Sequence, residues 1–261
     1  TLNRLRATLL TLVVIITFPL AHARQDAPPP QAASAQQLHY IGTATQLDTL
    51  NPAYTESYAE HYDAQGKLFS SQVQYRNMQG EPIADKQLDY RPHPHAPAFS
   101  FHNRKTGYRE AVIWRDDGRI LLMHADTAHT LPREKILRVP EPVVADARFN
   151  SFVRDHLARL EQGERIEFHF LNPARLDWFR FSASGSVLDK QKIQVVIAPS
   201  NPVLHWLVEP IRLVYARDSG HLLQYEGITN ISLDGGDTLV ARIQYRYSVK
   251  PVEYPDTLPE G

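Results

Sequence analysis

The sequence predicts a mostly antiparallel β protein of the α+β class, a curved sheet or half-barrel wrapped around one amphipathic helix. Three observations carry this expectation. Runs of alternating polarity recur along the chain, glycine-containing turns separate them, and one strong helical period runs from Asp146 to Gly163.

The turn signals "DAQG" (63–66), "NMQG" (77–80), "KTG" (105–107), "DDG" (116–118), "SGS" (184–186), "DSG" (218–220) and "DGG" (234–236) punctuate the body. Gaps of this length suit antiparallel hairpins. Parallel strands need longer crossovers, so a doubly wound nucleotide-binding sheet is excluded, and no glycine-rich phosphate loop argues for one.

Alternation is clearest near the C-terminus. In "TLVARIQYRYSV", Ala241, Ile243, Tyr245 and Tyr247 share one face while Arg242, Gln244 and Arg246 share the other. "IRLVYAR" opposes Ile211, Leu213 and Tyr215 to Arg212, Val214 and Ala216, and "ERIEFHFL" opposes Ile166, Phe168 and Phe170 to Glu167 and His169. One buried and one wetter face per strand is the pattern of an antiparallel sheet covered on a single side. The covering element is the helix expected over 146–162: Phe149, Phe152, Val153, His156, Leu157 and Leu160 form its apolar stripe and Gly163 stops it. A second helical turn is expected in "PSNPVLHWLVEP", with Asn201 as cap and Pro202 at the first position.

Ahead of the body, residues 1–23 have the order of a secretory signal: basic Arg4 and Arg6, an apolar run to Leu20, then Ala21-His22-Ala23. The run is short of the ~20 residues that cross a bilayer, so no stable transmembrane segment is expected after cleavage. Residues 24–37 read as a disordered linker, 38–250 as a single β-rich domain and 251–261 as an extended tail. The expected location is periplasmic or secreted. Loss of 1–23 removes two arginines and no acid, leaving 26 basic against 29 acidic residues. That mixed, near-neutral surface offers no field for nucleic acid. Absence of cysteine removes disulfides, thiolate metal sites, cysteine nucleophiles and an acylated cysteine anchor together.

"VADARFNSFVRDHLARLEQGERIEFHFLNPARLDWF" followed by "PIRLVYARDSGHLLQYEGITNI" resembles an uncharacterised family of exported bacterial proteins, over about the C-terminal half of the chain. The resemblance lends no catalytic residue. The architecture is similar to the curved half-barrels of periplasmic lipoprotein carriers, which implies an apolar cavity between sheet and helix.

Candidate chemistry is sparse. Glu56 and Glu60 share a strand face with Tyr54, Tyr58 and Tyr62; four residues apart on a strand, they lie roughly 13 Å from each other, too far to act as a pair on one bond. Such a stripe is expected as a solvated cross-strand ladder, with a carbohydrate platform as its functional counterpart. "SASGSV" (182–187) is expected as a hairpin turn, which places no serine at a nucleophile elbow. His93 and His95 sit two apart in a stiff, proline-flanked loop without a completing carboxylate pattern, so neither metal nor cofactor is expected there. His156 is expected as a hydrogen-bonded core histidine.

A glycine on the core face of a strand is expected to mark close helix packing or sheet curvature, with a ligand-shaped void as the alternative. On the strand at 222–231, Tyr225 and Gly227 face the core and Glu226 faces water. Gly42 and Ala44 form a similar narrow patch. "RLDWFRF" (175–181) mixes an aromatic with a charge on each face, which suits either an edge strand with a salt bridge or the mouth of a pocket beside the apolar loop holding Trp206 and Leu207. The expected ligand wall is therefore Trp178, Arg180, Trp206, Leu207, Tyr225 and Gly227. The function expected from these residues is non-enzymatic binding of an apolar or amphipathic, lipid-like ligand. The alternative is an interaction or structural module of the cell envelope with a protein partner.

Overall fold

Alternating side chains and glycine turns build one sheet of fifteen strands around a single α-helix, in a computed structural model that describes residues 36–146, 149–201, 209–233 and 238–248. All of them belong to one compact unit, Ser34–Gly261. The expected signal and most of the linker, the 251–261 tail, the turn at 234–236 and the helical turn at 202–208, with Trp206 and Leu207, lie outside the described residues.

The first meander comprises β1 (Gln36–Gln46), β2 (Pro52–Tyr62), β3 (Leu68–Asn77), β4 (Pro82–Asp89), β5 (Ala98–Asn103), β6 (Arg109–Trp114), β7 (Ile120–Ala125) and β8 (Arg133–Leu137). The second runs from the short β9 (Val143–Val144) through α1 (Asn150–Glu161), β10 (Arg165–Asn172), β11 (Asp177–Val187), β12 (Lys192–Pro199), β13 (Ile211–Ala216) and β14 (Leu222–Ile228) to β15 (Val240–Ser248). β1 and β15 pair antiparallel and join the two meanders into one sheet. Its order is β8 to β1, then β15 back to β9, and β9 against β10 is the one parallel pair.

This order forces curvature. β8 and β9 are the two outer strands, yet only residues 138–142 connect them. A flat fifteen-stranded sheet would be about 67 Å wide at normal strand spacing, whereas that connection reaches about 20 Å. The sheet therefore curls until its edges approach. Lys135 of β8 bridges to Asp177 of β11 at 3.3 Å across this seam, and the 3₁₀ turn Pro173–Arg175 packs on β6 and β7. The ring is not closed by hydrogen bonds.

On the concave side lies α1, with Phe152, Val153, Leu157 and Leu160 turned to the core and Asp155, Ala158 and Arg159 to water. Phe152 meets Phe168 of β10 at 4.8 Å between ring centroids. The helix ends as the sequence predicts: Gly163 takes a left-handed φ of 81°, its N–H donates to Leu160 and that of Glu164 to Arg159. It starts later than predicted, at Asn150, because Asp146 and Phe149 both adopt positive φ (69° and 55°), which breaks the helical path.

Two strand-level expectations are corrected. "SGS" is no turn: Gly185 lies inside β11, opposite Val195 of β12, and the chain reverses after Leu188. A Cβ at Gly185 would collide with the Leu160 backbone, so the glycine admits the last turn of α1 onto the strand. Nor is β11 an edge strand, since β10 and β12 flank it.

Candidate functional site

The inner face of β2 carries the acids and tyrosines expected in solvent, and the structure turns them inward. Glu56 is 3% exposed and Glu60 is 1% exposed. The cause is curvature, which puts this face on the concave side, where burial is tolerated because each carboxylate accepts hydrogen bonds from two tyrosine hydroxyls. Tyr58 and Tyr245 donate to Glu56 Oε1 at 2.9 and 2.6 Å. Tyr40 and Tyr62 donate to Glu60 at 2.5 and 2.6 Å, and Arg154 of α1 donates to the Tyr62 hydroxyl at 3.0 Å. Burial, then the Glu60 charge, pushes the Tyr62 hydroxyl well above its ordinary pKa, so it stays a donor.

Gly42 makes this arrangement fit. It stands opposite both Tyr245 on β15 and Glu56 on β2. A Cβ there would lie 2.7 Å from Tyr245 Cε1 and 2.9 Å from Glu56 Cγ, so the missing side chain is the path by which the phenol reaches the acid. The space behind Gly42 is therefore filled by the ladder itself, close packing rather than a void.

Along the same face a register row runs Tyr58, Val73, Lys86, Phe101, Glu110, His124. Lys86 Nζ pairs with Asp146 at 2.6 Å, both side chains buried. Burial works against the ammonium, yet Asp146 and the more distant Tyr75 and Glu110 outweigh it and hold Lys86 above its ordinary pKa. Burial likewise pushes Glu110 up, against the hydrogen bond from Tyr108 at 2.7 Å. Tyr54, Glu56, Tyr75, Lys86, Asp146 and Tyr225 line a cleft of about 30 Å³, with Ile228 to Asn230 at its rim. That is room for a water molecule or two, not for an organic ligand.

The expected ligand wall is not gathered in one place. Tyr225 lines the small cleft and donates its hydroxyl to the Ile228 carbonyl at 2.5 Å. Gly227 is core-facing as predicted, and a Cβ there would stand 3.0 Å from Ile211 Cγ1, which marks close packing. Glu226, on the other face, pairs with Arg242 at 2.9 Å. Trp178 of β11, three strands from Tyr225 of β14, meets the His169 ring of neighbouring β10 edge-on at 4.8 Å, and Arg180 is exposed; neither lines the cleft.

A second, open depression of about 420 Å³ separates α1 from the 217–220 turn. Most of its charges are committed to the fold: Arg217 bridges to Glu161 at 2.8 Å, Arg154 donates to Tyr62, and Asp155 pairs with His95 at 2.8 Å. His156 Nδ1 bonds the Phe152 carbonyl at 2.8 Å, the predicted core role. The structure supplies the carboxylates that the loop sequence lacks, Glu141 at His93 and Asp155 at His95. Among the described residues no group of three or more such side chains is placed to hold a metal.

The outer face holds what the sequence reading missed. Over most of the sheet it is polar, as in Gln72 and Gln74 of β3 and Arg242, Gln244 and Arg246 of β15. On β6 to β8 it is not. Ile113, Leu121 and Ile136 stand in register, with Ile113 41% and Ile136 43% exposed, and Ala111 pairs with Met123 in the next outward row. "AVIW" and "ILLM" are apolar at consecutive positions, so both faces carry apolar groups; this absence of alternation was the available signal.

No protein-family model, no curated protein and no solved structure matches the chain.

Proposed function

We propose that the protein is a non-enzymatic interaction module of the cell envelope, which docks an apolar surface of a protein partner on the outer face of β6 to β8. One observation carries this reading: the in-register stripe Ile113–Leu121–Ile136, half-buried at its centre and exposed at both ends, beside the apolar pair Ala111–Met123 on an outer face that is polar over most of the sheet. The interior supports it in a second way. Where a carrier would keep its ligand, α1 and the tyrosine–glutamate ladder occupy the concave side, and the partly open cleft beside them measures about 30 Å³. The buried carboxylates spend their lone pairs on tyrosine hydroxyls, which suits a rigid scaffold better than acid–base turnover.

A photo-crosslinking side chain at Ile113, compared with one at Gln74 on a polar outer row, tests the reading in cells that make the protein. A discrete adduct at position 113 that Ile136→Lys removes is the expected result. Equal labelling at both positions, together with lipid co-purifying with the protein, would transfer the case to a carrier of apolar ligands.

A further inference from the structure

The loop between β4 and β5 seats the helix, and one imidazole holds that loop together. His93 Nδ1 accepts hydrogen bonds from the backbone N–H groups of His95 (3.2 Å) and Ala96 (2.9 Å). Two donors converging on one ring nitrogen require that nitrogen to be unprotonated, which places the ring proton on Nε2, 3.3 Å from Glu141 Oε1. The turn so formed makes four further attachments. His95 Nε2 meets Asp155 of α1 at 2.8 Å, the His95 carbonyl accepts from Ala145 N–H at 3.1 Å, the Ala96 carbonyl accepts from Trp114 Nε1 at 2.7 Å, and His93 stacks on Trp114 at 5.3 Å. Ala145 precedes Asp146, the partner of Lys86. Helix, helix entry and sheet thus all hang on residues 93–96.

We propose that His93 is an acid switch for the seat of α1: a proton on Nδ1 removes the acceptor of both backbone N–H groups and frees the loop that holds His95 against Asp155. The groups facing His93 are Glu141 from the 138–142 connection, His95 from its own loop and the uncharged Trp114 from β6. Behind His95 stand Asp155 and His156 of α1, the latter at 5.6 Å between ring centroids. Glu141 favours the imidazolium, but it is largely exposed and reaches only Nε2, so it cannot replace the lone pair that Nδ1 loses. Burial, the largest influence, holds His93 below the ordinary imidazole value, with His95 acting in the same direction. The device would loosen α1 from the concave face in a mildly acidic compartment without unfolding the sheet, because the strand ladders do not pass through this loop.

The test is amide hydrogen exchange of the segments 91–97 and 150–162 at pH 7.5 and 5.0, corrected for intrinsic rates, on the wild type, His93→Asn and His93→Leu. Asparagine offers a side-chain oxygen to the same two N–H groups and does not titrate in this range. The wild type is expected to lose about tenfold in protection of both segments at pH 5.0, the order of one or two ordinary hydrogen bonds lost. His93→Asn should keep its protection at both pH values, and His93→Leu should lack it at both. Persistence of the acid-induced loss in a His93→Asn protein that is fully protected at pH 7.5 overturns the proposal. Nitrogen-15 shifts of the His93 ring give a reading that needs no variant: Nδ1 should be bare at pH 7.5 and titrate together with the exchange of α1, and a proton on Nδ1 at pH 7.5 overturns it equally.

Discussion

The Tyr245 hydroxyl donates to Glu56 at 2.6 Å over the bare Cα of Gly42, which is in register with both residues. Three neighbouring strands thereby share one buried hydrogen bond, and it exists because the middle strand gives up a side chain. Glycine inside a strand ordinarily weakens it; here the loss is offset by satisfying a carboxylate that is almost wholly buried.

Gly42→Ala should therefore destabilise the fold by about 1–3 kcal/mol, the usual range for overpacking a core. The added methyl meets Ile243 Cγ2 and Tyr245 Cε1 at 2.7 Å, and Tyr245 cannot withdraw without leaving Glu56 short of a donor. Urea midpoints of variant and wild type measure it. An unchanged midpoint would mean that the ladder is slack.

Gly185→Ala tests the other close approach. Its methyl would meet the Leu160 backbone, so the last turn of α1 must lift from β11. Faster amide exchange confined to Arg159–Glu164 is the expected signature, with the β1–β8 meander unaffected. Exchange rates matching the wild type in that segment would argue that the helix does not press on the strand.

Removing one member of the buried Lys86–Asp146 pair should cost about 3–5 kcal/mol, because the survivor keeps its charge without a partner. Lys86→Met with Asp146→Leu should recover most of that loss, since neither charge then stays behind. Chemical denaturation of the two single variants and the double variant gives the coupling energy. Simple additivity would show that the two groups do not act as a pair.

Stability should fall in two steps on acidification. The folded pKa values of His93 and His221 lie below the ordinary 6.5, both through burial first, so the unfolded chain takes up their protons first and stability declines as pH drops through about 6.5. Asp89 and Asp155 lie below the ordinary 3.8 through hydrogen bonds from Arg91 and His95, and their contribution is lost as pH falls below that value. Glu110, raised by burial, works in the opposite sense between its folded value and 4.5. Denaturation midpoints between pH 7.5 and 3.0 should show both steps, and His93→Asn with His221→Asn should flatten the first. A wild-type midpoint constant from pH 7.5 to 5.5 would contradict the histidine assignment.

Local pattern alone specified the strands, most of their turns, the helix and its glycine stop, because period 2, period 3.6 and positive-φ glycines are properties of neighbouring residues. It also placed Tyr225 and Gly227 on the core side and Glu226 on the other. It could not say which side of β2 would be enclosed: Glu56, Glu60 and their tyrosines read as a wet face, and only the curl imposed by the short 138–142 connection turned them inward. Gly185 shows the same limit, a turn residue by composition and a strand residue once α1 packs over it. The partners of Lys86, His93 and Glu56 come from 60, 48 and 189 positions away. Polarity patterns record what a residue is, whereas burial depends on what the rest of the chain brings opposite it, and that was decided by the tertiary fold.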